Sequence, residues 1–190
     1  MQGILLAAGY GRRFDPTGKN SKLLARLPDG RIVAAQTARA LCEALPGSIA
    51  VIRPGQTELA VQLREAGCHI LESIEAEGGM GSALAHAVRD TRGADGWLVA
   101  LADMPWVPAA AIRAVAAAID TPDRIAAAAF EGQRGHPVAF GAHWAPELAA
   151  LSGDRGARDL LRGTGLRLID TGTPDVLRDI DLPSDLPPPA

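Results

Sequence analysis

The chain has 190 residues, 47% of them hydrophobic and 22% charged, with a formal net charge of −3, a size and balance that suit one folded domain with a substantial core. The acidic balance argues against a broad nucleic-acid surface, because a face that tracks phosphates requires a basic excess. No apolar run is long enough to cross a bilayer, so membrane partners are not expected.

In chain order, short apolar runs predict strands near 2–7, 48–52, 68–72, 96–101, 125–129, 137–140 and 166–170. Helical patterns fall between them, near 32–45, 56–66, 81–90, 108–119, 143–151 and 155–162. The alternation predicts a three-layer α/β/α sandwich around a mostly parallel sheet, since "GILLAA" and "GWLVALA" are apolar on both faces. No repeat or flexible linker intervenes, so residues 1–190 read as one domain, with the proline-rich tail at about 186–190 a loose end. The N-terminus lacks the basic region of a signal peptide and its apolar run stops at Gly9, which predicts a cytoplasmic protein. Cys42 and Cys68 lie far apart without a CxxC spacing and read as reduced, buried thiols rather than as a metal site or disulfide framework.

In such sheets ligands bind at the carboxyl ends of the strands. The loop after the first strand, "GYGRRFDPTGKNSK", holds both lysines of the chain, Lys19 and Lys22, with Arg12 and Arg13 and one acid, Asp15. Gly9 and Gly11 would let the backbone approach an anion closely, with Arg13 and Lys22 adding charge. It is not a P-loop, because no glycine stands five positions before Gly18 and Asn20 replaces the magnesium-binding Ser or Thr; Phe14 likewise spoils a dinucleotide fingerprint. Lys22 precedes the apolar "LLARL", which would anchor it. Asp103 follows the fourth strand at the ligand edge, either as a ligand or as a turn residue. Asp179 and Asp181 share one face of an extended stretch, and either could join Asp103 on a magnesium ion, which favours carboxylate and phosphate oxygens.

These motifs resemble the MobA-like nucleotidyltransferases, and within them most closely the molybdenum cofactor cytidylyltransferases. "LLAAGYGRRF" with "SKLL", "GGMGSAL", "LADMPW", "GQRGHPVAF", "GDRGAR" and "DIDLPSDL" match the family in order over nearly the whole chain. The resemblance implies the Rossmann-like nucleotide-diphospho-sugar transferase fold and a magnesium-dependent transfer of CMP from CTP to molybdopterin, with loss of pyrophosphate. It assigns Leu6, Ala7, Ala8, Gly9 and Gly11 to the nucleotide, Arg13 and Lys22 to the triphosphate, and Gly81 and Ser82 to base and ribose at a helix start. Asp103 matches the metal aspartate and Asp181 the second, with Asp179 a competitor. Gly135, His136, Pro137, Asp154 and Arg158 fall in segments that the family places near the acceptor. His69, His86 and His143 match no motif and read as structural or surface residues.

The chain departs from the family at Asp15, which begins a "DPTGKNS" insert and makes Lys19 a rival to Lys22, and at Ser21, Gly79, Leu182 and Ser184. "LAAG" resembles the cytidylyl branch, whereas the guanylyl branch reads LAGG, so CTP is the expected nucleotide ahead of GTP or another triphosphate. A molybdenum hydroxylase is the expected recipient of the product. Two other readings fit many of the same residues: a nucleotidyltransferase acting on a sugar phosphate, and a non-catalytic protein that delivers the cofactor to an oxidoreductase.

Overall fold

The computed structural model describes residues 1–162 and 165–188. Seven strands, β1 (Gln2–Leu6), β2 (Ile49–Ile52), β3 (His69–Glu72), β4 (Gly96–Leu101), β5 (Ile125–Phe130), β6 (Gln133–Gly141) and β7 (Leu166–Asp170), form one sheet in the order β3-β2-β1-β4-β6-β5-β7. All neighbours pair in parallel except β6, which runs antiparallel to both β4 and β5. Five helices pack on it: α1 (Val33–Ala44), α2 (Thr57–Glu65), α3 (Met80–Asp90), α4 (Ala109–Ala117) and α5 (Ala145–Ala149). This is the three-layer α/β/α sandwich around a mostly parallel sheet that the alternation predicts.

The strands are apolar throughout because both faces are covered. Leu5, Ile52, Leu98 and Ala126 pack with Leu41 of α1, Leu63 of α2 and Ile112 of α4. Their neighbours Ile4, Val51, Val99 and Ala127 point the other way, as the pleat requires, and pack with Leu84 and Val88 of α3 and Leu148 of α5.

From β1 the chain moves outward to β2 and β3, then α3 carries it back across the sheet to β4 on the other side of β1. Connections therefore leave the carboxyl ends of β1 and β4 in opposite directions and open a crevice there, the usual ligand position in such sheets. The opening loop and Asp103 both emerge at that point.

Three sequence expectations change. The sixth strand starts at Gln133 rather than near 137; the ladder between β5 and β6 is irregular between Ala127 and Ala129, and that irregularity accommodates Pro137, which has no N–H to donate. The helix expected near 155–162 is instead a series of turns ending in a single 3-10 turn at Leu160–Arg162. Gly153 and Gly156, at φ +66° and +55°, hold the preceding backbone in a left-handed conformation that an α-helix excludes. The helix expected over 143–151 divides into a 3-10 turn, Ala142–Trp144, and the short α5. Of the tail at about 186–190, Leu186 to Pro188 have no regular structure and 189–190 lie outside the described residues.

The start of β6 is pressed against the 3-10 turn Pro174–Leu177, and a Cβ on Gly135 would fall 2.0 Å from the Val176 carbonyl oxygen. Gly135→Ala should therefore destabilise the fold by about 1–3 kcal/mol through overpacking, read as a lower midpoint in urea unfolding.

Candidate active site

The end of β1 is tied to both neighbouring strands: Ala7 N–H donates to the Val51 carbonyl at 3.0 Å, and Ala102 N–H donates to the Leu6 carbonyl at 3.1 Å. The Ala7 donor is thus already spent within the sheet. Gly9 follows, exposed, with nothing within 4 Å of where a Cβ would stand. Positive φ is required at Gly11, at +62°, but not at Gly9. Gly11 lies against the Lys22 stem and its carbonyl accepts from the N–H groups of Phe14 and Asp15.

The insert closes on the Asp15 carboxylate. It accepts from Thr17 N (2.8 Å), Thr17 Oγ1 (2.7 Å), Asn20 N (2.8 Å) and Asn20 Nδ2 (2.9 Å). These bonds, with the Thr17 hydroxyl foremost, lower the Asp15 pKa to about 2. Lys19 rides on the outside of this knot, exposed and in no ion pair among the described residues.

Lys22 points inward. It opens a 3-10 turn, Lys22–Leu24, whose Leu23 is 3% exposed in the core beside α1. Its Nζ donates to Asp103 Oδ2 at 2.6 Å and to Asp181 Oδ1 at 3.1 Å, while Arg13 Nη1 meets Asp181 Oδ2 at 2.5 Å from the solvent side. Burial works against the Lys22 charge, but the Asp103 and Asp181 carboxylates outweigh it and raise the pKa above the usual lysine value.

Asp103 stands two residues beyond β4, where Thr37 Oγ1 of α1 donates to the Ala102 carbonyl and Ile180 N–H donates to the Asp103 carbonyl. The second bond brings the C-terminal segment into the site. There the Asp185 carboxylate accepts from the N–H groups of Asp181 and Leu182, which fixes the Asp181 backbone.

Carboxylate oxygens of Asp103, Asp179 and Asp181 all lie within 4.8 Å of one another. Asp103 Oδ1 is buried with no hydrogen-bond partner among the described residues. The Asp179 pKa is raised, first by burial and then by the charges of Asp181 and Asp103. Close and oxygen-only, this donor set fits a hard divalent cation, with Asp103 and Asp181 less exposed than Asp179.

Gly81 and Ser82 do stand at the start of α3, but the helix end is already occupied. Gly81 N–H donates to the Gly153 carbonyl at 2.8 Å, Met80 N–H to Asp154 Oδ1 at 3.4 Å, and Ser82 Oγ accepts from Gly153 N–H at 3.1 Å. A Cβ on Gly79 or Gly81 would strike this segment at under 3.0 Å. These two N–H donors at the helix start are thus satisfied by residues 153–154, and Asp154 caps α3.

On the α3 face lies a cavity of about 340 Å³ with an apolar floor that includes Leu6, Leu84, Val99 and Phe140. Gly135, His136 and Arg158 line it, and so do Arg134 and Arg155, which the motifs do not single out. The signal for Arg134 was the period of two along β6: residues 134, 136, 138 and 140 share one side of the strand and all line the cavity. Pro137 is buried on the other side and does not line it. His136 Nδ1 is buried without a hydrogen-bond partner among the described residues. Burial, opposed by the Asp103 charge and aided by those of Arg134 and Arg158, lowers its pKa to about 4. The remaining histidines are structural or exposed: His86 Nδ1 pairs with Ser73 Oγ at 2.6 Å, His143 abuts Trp144, and His69 is exposed.

Residues 3–170 match the family model described as MobA-like NTP transferase domain. The chain is 31% identical to the purine catabolism protein PucB of Bacillus subtilis over 96% of its own length and 92% of that protein. Its fold matches Rv0371c of Mycobacterium tuberculosis with a TM-score of 0.81 at 24% identity, covering 97% of this chain and 93% of that one. Rv0371c has also been solved in complex with manganese, in a structure that matches at a TM-score of 0.77 and 23% identity over 97% of this chain and 94% of that one. A nucleotidyl transferase from Methanothermobacter matches at a TM-score of 0.80 and 24% identity, over 97% and 93% of the two chains.

A neutral, half-buried His136 carries a pH signature. Its folded pKa of about 4 lies below the ordinary histidine value of about 6.5, so the unfolded chain binds the extra proton between these values. Stability should rise with pH across that window. Urea unfolding at stepped pH should show the slope in the wild type and lose most of it in His136→Gln.

Proposed function

The chain belongs to the MobA-like NTP transferase family, and from that premise we propose that it is a single-domain enzyme that transfers CMP from CTP to the terminal phosphate of molybdopterin or the molybdenum cofactor. The observation that carries this reading is the bridge from Lys22 to Asp103 and Asp181 at the crevice of the sheet, beside an arginine-rimmed apolar cavity.

An oxygen of the acceptor phosphate attacks the α-phosphorus of CTP, and the bond to pyrophosphate breaks. Such transfers rest on positioning and charge stabilisation rather than on a nucleophilic side chain. Leu6, Ala7, Ala8, Gly9 and Gly11 supply the backbone against which the nucleotide lies, and Gly81 and Ser82 border it on α3. Lys22 and Arg13 neutralise the triphosphate, which requires each to give up part of its contact with Asp181. A divalent ion, magnesium in this reading, would be held by Asp103 and Asp181 and would offset the charge gathering on the phosphates. The choice of CTP is supported by "LAAG", where Ala8 is 8% exposed and its methyl narrows the space beside the base.

The cavity suits a flat heterocycle carrying a phosphate, whose ring faces the apolar floor would cover, with Arg134, Arg155 and Arg158 at its rim and His136 offering an uncharged ring. Gly135 shapes its wall, Pro137 sets the direction of β6 from behind, and Asp154 holds the 153–158 segment in place. The name of the Bacillus subtilis relative ties that protein to purine catabolism, and a molybdenum hydroxylase is the recipient we propose for the product.

Pyrophosphate release tests the reading. With magnesium, turnover of CTP and molybdopterin is expected; turnover with sugar phosphates but not molybdopterin would replace the acceptor, and tight pterin binding without turnover of any triphosphate would make the protein a carrier. Asp103→Asn should lower kcat by roughly 100-fold or more, on the scale of losing one preorganised electrostatic group. It should also abolish the rise in melting temperature that magnesium or manganese gives the wild type. Lys22→Ala should cost a comparable factor in kcat/KM, whereas Lys19→Ala should stay within about twofold, since an exposed unpaired charge contributes little.

A further inference from the structure

Cys42 and Cys68 are separated by 26 positions in sequence, yet their Sγ atoms stand 3.4 Å apart. Cys42 lies in the last turn of α1 and is partly exposed, while Cys68 directly precedes β3 and is 4% exposed. The approach is built into the backbone. Gly67, at φ +103°, sits where a Cβ would come 3.3 Å from Cys42 Cβ, so the absence of a side chain there lets the turn close on α1. Both ends are held: Leu45 N–H donates to Leu41, Cys68 N–H to Leu63 and His69 N–H to Ser48, at 2.7, 3.0 and 3.0 Å.

We propose that Cys42 and Cys68 form a reversible disulfide-exchange site that responds to small disulfides such as glutathione disulfide. The roles follow from exposure and from the contact itself. The hydrogen bond between the sulfurs lowers the Cys42 pKa against the effect of burial, and that same contact, followed by burial, raises that of Cys68. Cys42 is the attacker and Cys68 the resolver.

In the first step the Cys42 thiolate attacks one sulfur of glutathione disulfide. The disulfide bond breaks, one glutathione leaves as a thiolate and takes up the Cys42 proton, and a mixed disulfide remains on Cys42. Cys68 then gives up its proton and attacks Cys42 Sγ, and the second glutathione leaves and accepts that proton. Two cysteine thiols have lost two electrons, and one glutathione disulfide has become two molecules of glutathione. The sulfurs have only to close from 3.4 Å to a bond of about 2.0 Å, a movement within reach of side-chain rotation.

This site lies at the amino-terminal edge of β3, whereas Lys22, Asp103 and Asp181 gather beyond the carboxyl ends of β1 and β4. Oxidation is therefore a change in the stability of the chain, not in the proposed transfer chemistry. It would staple α1 to the α2–β3 turn and close a loop in the unfolded chain.

The test uses the native full-length protein, incubated with glutathione disulfide, quenched in acid and read by intact mass, thiol labelling and non-reducing peptide mapping. The expected product lacks two hydrogens, carries no glutathione, links the Cys42 and Cys68 peptides, melts at a higher temperature and reverts with dithiothreitol. Cys68→Ser should stop at a glutathione adduct on Cys42, and Cys42→Ser should take up no glutathione. Wild-type protein that accumulates the adduct without losing its second thiol, or that keeps both thiols under millimolar glutathione disulfide, would overturn the proposal. The wild-type peptide map decides the matter even if a serine variant fails to fold.

Discussion

One ammonium group joins three distant parts of this chain. Lys22 Nζ reaches Asp103 across 81 positions and Asp181 across 159, and so pins the opening loop to the end of β4 and to the C-terminal segment. A half-buried ion pair of this kind gains strength from a lowered local dielectric but incurs some desolvation, and it persists where the geometry is close and further bonds hold the partners. Here they do: the backbones beside Asp103 and Asp181 are each fixed by hydrogen bonds to segments remote in sequence or just downstream. Without that bridge, three carboxylates would face one another at the crevice with only Arg13 to balance them.

The sheet determines where this cluster can form. β1 is flanked by β2 and β4, and the chain reverses its direction of travel across the sheet between β3 and β4. A buried parallel sheet leaves its chemistry to the loops at one edge, and the reversal separates two of those loops enough to admit a ligand. The antiparallel β6 adds a second element. It brings Arg134 and His136 up from the other direction, so the cavity and the carboxylate cluster meet at a common edge, both drawing on the ends of β1 and β4.

Much of this was legible from residues alone, where local pattern and tertiary role coincide. Strands apolar on both faces implied helices on both sides, and Lys22 next to "LL" implied an anchored lysine, since the leucine that enters the core fixes the residue before it. What escaped depended on partners far away in sequence. The pattern over 155–162 suits a helix, but Gly153 and Gly156 bend the preceding backbone so that residues 153–154 can cap α3, a contact no local window contains. The same contact takes up the Gly81 N–H at the start of α3. Pro137 hid the first half of β6 because proline usually ends a strand, and with it the register that places Arg134. The two cysteines read as unrelated because nothing short of the fold places α1 beside the turn before β3.

The knot around Asp15 has a consequence for how this loop can vary. The Asp15 carboxylate gathers Thr17 and Asn20 into a closed local unit, while Gly11 on one side lies against the Lys22 stem and the Lys22–Leu24 turn on the other is anchored in the core by Leu23. The ends of the excursion stay near each other whatever lies between them, and the entropic cost of a longer loop grows only with the logarithm of its length. Residues 15–20 therefore behave as a detachable module. An insertion or deletion within residues 15–20 would leave the lysine in place, so the spacing from glycine to lysine is far less constrained than their spatial relation.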